Sequence, residues 1–300
     1  MQSNKPNNSI LHKDFKLLAR ELTIVENDLT GSEELLRRLI PKDTPVIGIT
    51  GPPGAGKSTL VNSIINALSV SGKYVAVLAI DPTSPFNMGS LLGDRIRMAE
   101  QFNKANVYIR SLATRGSLGG LSGKTIEMCD VLKNAGFDYI LVETVGVGQS
   151  EVEIAGLADI SVVVLVPESG DEIQTMKSGL MEIADIFVVN KSDRDGAERF
   201  TNNLKKLVHL RSVPIPVINT IADQSIGIEN LIKAIREQAY KENSKRSYLL
   251  TEKAWKLIQN QKMKSFDKIH LHKTLEQACS NPNFNLYQFI DNYQQSFKNS

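Results

Sequence analysis

Gly51, Gly56, Lys57 and Ser58 stand in GPPGAGKS with the spacing G-x-x-x-x-G-K-[ST], a pattern built to hold phosphate. Glycines reach the backbone angles that turn successive N–H groups inward, and a helix starting near Lys57 adds its positive end. The Lys57 ammonium then reaches the outer phosphates. The whole run Gly51, Pro52, Pro53, Gly54, Ala55, Gly56, Lys57, Ser58 and Thr59 is the expected phosphate cradle. A second group, Asn190, Lys191 and Asp193 in NKSD, addresses the base. A carboxylate at Asp193 accepts from both guanine N1–H and the exocyclic amino group, whereas adenine offers neither donor in that arrangement. A site built around such donors rejects an analogue lacking them by about 10⁴-fold. GTP and GDP are therefore expected over adenine nucleotides.

Magnesium takes hard oxygens, usually one or two from protein. The candidates are Ser58, Asp81, Asp94 and Glu143. Glu143 ends the run DYILV, where the magnesium-side acid of a nucleoside triphosphatase belongs. Gly146, three residues on, suits a switch whose backbone N–H approaches the γ-phosphate. Plainer roles stay open: Asp81 begins a turn at Asp-Pro, Asp94 caps or pairs with Arg95 or Arg97, and Glu143 is a solvated strand-end carboxylate.

These residues need a scaffold that brings them to one edge. Seven short apolar runs supply it: residues 45–50, 74–81, 107–111, 138–143, 161–166, 185–190 and 215–219. Apolar throughout rather than alternating, they indicate a mostly parallel sheet covered by helices on both faces. The expected fold class is α/β, a P-loop nucleoside triphosphatase with helical extensions at both ends. Ligands gather at the carboxyl ends of such strands, at the topological switch. The phosphate loop, Asp81, Glu143 and Asn190 each follow or close one of the runs. Residues 1–44 read as a helical extension, with Leu17, Leu18, Leu22, Ile24 and Val25 on one apolar face and Leu35, Leu36, Leu39 and Ile40 on another. Residues 45–240 form the nucleotide domain, and 241–300 a helical tail with Trp255 as a packing anchor and a possible role in dimerisation.

Composition excludes several classes. With 41% hydrophobic and 23% charged residues the chain is expected to be globular, and a net charge of +2 gives no basic field for nucleic acid. Cys129, Cys279 and the four histidines make no ligand-spaced cluster, which fits a reducing cytoplasm. No apolar run approaches the ~20 residues of a membrane span, and the first residues lack an apolar signal core. The lysine-rich stretch 241–273 reads as the solvated face of helices.

With these motifs in place, the chain resembles the methylmalonyl-CoA mutase-associated GTPases of the MeaB/ArgK type, relatives of human MMAA. The resemblance covers roughly residues 15–240. It is carried by ARELTIVEN (19–27), GITGPPGAGKSTLVN (48–62), AIDPTSP (79–85), LLGDRIRM (91–98), RGSLGGLS (115–122), VETVGVGQSE (142–151) and NKSDRDGA (190–197). It implies that Asp81, Asp94 and Glu143 all face magnesium and that 167–179 is a mobile switch carrying Lys177. It also implies a homodimer and, as client, a cobalamin-dependent acyl-CoA mutase whose cofactor loading or rescue is gated by GTP turnover. Where the family presents Ser-Ala-Leu to the guanine, this chain has Ile221, Ala222 and Asp223, leaving the Ala222 backbone N–H for that contact.

Hydrolysis by an aligned water is the expected chemistry, with Lys57, magnesium and loop amides stabilising charge on the leaving group. Gln149 and Lys177 are the candidates for completing it. Competing readings are a metal-insertion maturation GTPase, an ATP-using kinase or transport accessory, and a GTP-binding switch without useful hydrolysis.

Overall fold

A computed structural model describes residues 14–40, 42–81, 99–113, 123–144, 154–170, 180–209, 214–239, 246–263, 266–281 and 284–298. Each of the seven apolar runs is a strand: β1 (Val46–Thr50), β2 (Val75–Asp81), β3 (Val107–Ala113), β4 (Tyr139–Glu143), β5 (Ile160–Leu165), β6 (Ile186–Val189) and β7 (Val217–Asn219). They form one sheet in the order β3-β2-β4-β1-β5-β6-β7, with every pairing parallel. The chain moves outward from β1 through β2 to β3, returns to β4, and crosses β1 to reach β5. The switch therefore lies at the carboxyl end of β1, where a crevice opens between the connections on either side.

The helices are α1 (Phe15–Glu26), α2 (Ser32–Arg37), α3 (Lys57–Val70), α4 (Gly123–Ala135), α5 (Leu180–Ile183), α6 (Ala197–His209), α7 (Ile228–Ala239), α8 (Arg246–Met263), α9 (Lys268–Cys279) and α10 (Leu286–Lys298). On one face of the sheet, Ile47, Ile49, Val77, Leu141, Val162 and Val164 pack with Leu60, Ile64 and Leu68 of α3 and Leu231 and Ile235 of α7. On the other, Val46, Ala76, Leu78, Ile140 and Val142 pack with α1 and α4, and Val163, Leu165, Phe187 and Val189 with α5 and α6. Alternate residues of one strand thus serve opposite cores, which is why the central strands are almost wholly apolar. Burying each such side chain stabilises the fold by about 1.5–3 kcal/mol.

Asp14 caps α1, its carboxylate accepting from Lys16 N at 3.1 Å and Leu17 N at 2.9 Å. The buried stripe of α1 is Leu18, Leu22 and Val25, spaced by four and three residues as one helix face requires. Leu17 falls outside that stripe at 42% exposure, and Ile40 lies beyond α2 at 78%, so neither belongs to the apolar faces expected of them. Arg110 of β3 fastens α1 to the edge of the sheet, donating to Glu26, to Thr23 Oγ1 at 3.1 Å and to the Ala19 carbonyl at 3.2 Å.

Contacts divide the chain into Met1–Leu250 and Thr251–Ser300. Within the second unit, Phe266 and Phe289 stack on Tyr293, whose hydroxyl lies 3.1 Å from His270 Nδ1. Trp255 is 60% exposed and not the packing anchor its size led us to expect: this unit gathers its core from Phe and Tyr rings instead. Among the described residues no helix is long and apolar enough to cross a membrane.

Candidate functional site

The phosphate loop leaves β1 at the switch and enters α3. Gly51 (φ 140°) passes so close to the Val164 carbonyl that a Cβ has no room, and Gly56 (φ 84°) is held as closely by the Asn190 side chain. Gly56 is also the N-cap of α3, in the left-handed region and with no side-chain cap. The first-turn N–H groups of α3 are thereby left to an anion rather than to a capping Ser or Asp. Lys57 is buried and turns back over the loop, donating to the carbonyls of Gly51 at 2.8 Å and Pro52 at 3.0 Å.

Glu143 lies beside Ile49 of β1 and Ala79 of β2 in the sheet register, at the edge where the loop departs. Its Oε1 accepts from Ser58 Oγ at 2.6 Å, and the carboxylate is buried. Two hard oxygens from different elements are thus brought together at the N-terminus of α3, the donor chemistry magnesium selects. Ser58 and Glu143 fit that ion. Below them Thr144 Oγ1 donates to Thr50 Oγ1 at 3.0 Å, fastening the ends of β4 and β1. Asp81 closes β2, one strand away from β1's neighbour β4 on the far side of the loop. Its side chain, and all of Asp94, Gly146, Gln149 and Lys177, lie outside the described residues.

The NKSD residues meet the loop from the β6 side. Asn190 is buried and both polar atoms of its amide are bonded: Nδ2 donates to the Ala55 carbonyl at 2.9 Å, and Oδ1 accepts from Thr220 Oγ1 at 3.0 Å and Ala222 N at 3.1 Å. Asn190 therefore fixes the phosphate loop and the base-side turn to one another. Lys191 takes the left-handed conformation (φ 54°), uncommon outside glycine, and its Nζ donates to the Gly54 carbonyl at 2.8 Å. Asp193 follows one residue after Ser192, whose N–H bonds the Thr220 carbonyl at 3.1 Å, and it is exposed to solvent. Of the aligned guanine-side residues, Ala222 is buried and Asp223 exposed, and the Ala222 N–H considered for the base is donated to Asn190.

Three contributions were not read from the motifs. Thr220 supplies the hydroxyl for Asn190 from the end of β7. Ser63, in α3, donates to the Ala222 carbonyl. Arg194 pairs with Glu168, joining the NKSD loop to the turn after β5 and holding the Glu168 carboxyl below its ordinary range, chiefly through that hydrogen bond. Thr220, directly before the aligned guanine-side residues, and Arg194, inside NKSDRDGA, could have been found from sequence.

The chain's relatives decide among the nucleotide-binding folds that share this geometry. The family model described as methylmalonyl-CoA mutase-associated GTPase MeaB matches residues 18–282. The chain belongs to the MeaB family. Within it, the chain is 47% identical over 257 residues to a protein of Pyrococcus abyssi described as a GTPase, covering 83% of this chain and 79% of that one. It is 41% identical over 194 residues to the mitochondrial methylmalonic aciduria type A homolog of Mus musculus, covering 59% of this chain and 47% of that one. A crystal structure of a LAO/AO transport system kinase superposes with a TM-score of 0.66 at 25% identity, covering 96% of this chain and 89% of that one. Membership makes this MeaB-type chain a GTPase, and the MeaB sheet order and phosphate loop are the frame in which its own side chains act.

Proposed function

We propose that this MeaB-family GTPase binds guanine nucleotide with magnesium between the phosphate loop and the NKSD loop, and that its hydrolysis cycle serves a cobalamin-dependent acyl-CoA mutase. One observation carries the nucleotide reading: Asn190 and Lys191 bond the carbonyls of Ala55 and Gly54, which sets exposed Asp193 at a fixed distance from the phosphate cradle. Asp193 then reads the two guanine donors. The α3 N-terminus and loop amides receive the phosphates, and Lys57 exchanges its bonds to the Gly51 and Pro52 carbonyls for the β- and γ-phosphate oxygens. Ser58 and Glu143 hold magnesium, with Asp81 and Asp94 completing its acidic side. The bound ion neutralises phosphate charge. Lys57 and the loop amides stabilise the negative charge that builds on the leaving diphosphate, and positioning does most of the catalysis. Gly146 meets the γ-phosphate, and Lys177 adds charge stabilisation from the 167–179 segment when a partner binds.

The mutase client is supported by the family's description and by the methylmalonic aciduria type A homolog among the relatives. With it go a homodimer and a cytoplasmic location. An ATP-using transport kinase is the second reading, favoured by the name of the superposed structure. Asp193 opposes it, since adenine leaves that carboxylate without its two donors. The test is the GTP hydrolysis rate of the purified protein before and after adding the cobalamin-dependent acyl-CoA mutase of the same organism. A slow GTP rate that rises strongly with the mutase is expected. A rate indifferent to it removes the mutase from the proposal.

A further inference from the structure

The turn that follows β7 is internally closed. Ile221 and Ile226 exchange backbone hydrogen bonds at 3.1 and 3.2 Å, Ser225 (φ 58°) is left-handed, and Gly227 (φ 80°) lies against the Asn219 carbonyl with no room for a Cβ. A turn so constrained moves as a unit, and what must be set is its place relative to the phosphate loop. Two side chains grip it at one residue. Asn190 takes the Ala222 N–H, and Ser63 Oγ donates to the Ala222 carbonyl.

Ser63 lies on α3, the helix whose first turn carries Lys57 and Ser58, and is itself buried at 7% exposure. A helical serine ordinarily bonds back to the carbonyl four residues earlier. Ser63 does reach the Thr59 carbonyl at 3.1 Å, but a hydroxyl has one proton, and the shorter contact is the one to Ala222. We infer that Ser63 is a positioning residue for base recognition, locking the base-side turn to the phosphate-binding helix so that base and phosphates are read at one spacing. The inference rests on the guanine reading of the site.

The test measures binding of GDP and of inorganic pyrophosphate, which has phosphates and no base, by calorimetry in magnesium for the wild type, Ser63→Ala and Ser63→Thr. Losing one hydrogen bond to a buried carbonyl is expected to weaken GDP on the order of tenfold in Ser63→Ala. Pyrophosphate affinity is expected to stay within about twofold, and Ser63→Thr, which keeps the hydroxyl, to recover GDP. An equal loss for both ligands makes Ser63 a structural residue of α3 and overturns the inference, as does unchanged GDP binding in Ser63→Ala. A wild type that holds ADP as tightly as GDP instead overturns the guanine reading itself.

Discussion

Glu21 sits on α1 between the buried positions Leu18 and Val25, and its Oε2 is buried with no hydrogen-bond partner among the described residues. Burial pushes its carboxyl above the usual range. The folded chain therefore holds this proton to higher pH than the unfolded chain does. Stability falls as pH rises from about 4.3, the ordinary Glu value, through the raised folded value. Glu21→Gln removes the charge and is expected to raise Tm at pH 7 while leaving it nearly unchanged at about pH 3.5, where both states are protonated. Thermal unfolding at the two pH values checks this, and an equal shift at both would assign the effect to packing. Asn190 differs: both polar atoms of its side-chain amide have partners, so this residue of the base motif also braces the phosphate loop against the turn after β7. The sequence motif gives its identity, but its partners lie in two separate stretches, Ala55 in the phosphate loop and Thr220 with Ala222 after β7, that only the fold brings together.

At the level of elements, the central strands were legible because β1, β4, β5 and β6 are buried on both faces and so carry no polar alternation. Their order was not, since nothing in Tyr139–Glu143 says that this fourth strand inserts between the first and second. The same limit hid the pair Glu168–Arg194, whose members are 26 positions apart on the turn after β5 and the loop after β6. Their side chains are 52% and 47% exposed, so water and salt screen the pair. A double-mutant cycle with Glu168→Gln and Arg194→Met, read by thermal unfolding, is expected to give a coupling of about 0.2–1 kcal/mol at low salt and almost none at about 1 M salt. Because the Glu168 carboxyl is held low, the coupling is present above about pH 4.3 and is lost as pH falls through its depressed folded value. A coupling insensitive to salt would mean that the two loops are joined by more than this pair.

For the whole molecule, one crossing of the chain over β1 decides where the chemistry sits. It places the phosphate loop between β4, with Glu143, and the β5–β6 side, with Asn190. Apolar runs ending in Gly, Glu and Asn announced that edge, since a residue that breaks an apolar pattern at a strand end has a polar task. The Thr251–Ser300 unit was less legible: its helices expose Trp255, Ile258, Met263 and Ile269, so the apolar residues of its sequence do not map its core. In the proposed function, Asp193 makes this scaffold a guanine-specific hydrolase. This role is tested most directly by single-turnover phosphate release from GTP and from ATP in magnesium, for the wild type and Asp193→Asn. The wild type is expected to favour GTP by roughly 10³–10⁴ in kcat/KM, and Asp193→Asn to lose most of that preference, because the amide cannot accept from both guanine donors. Comparable GTP and ATP rates in the wild type, or a preference that survives Asp193→Asn, would contradict it.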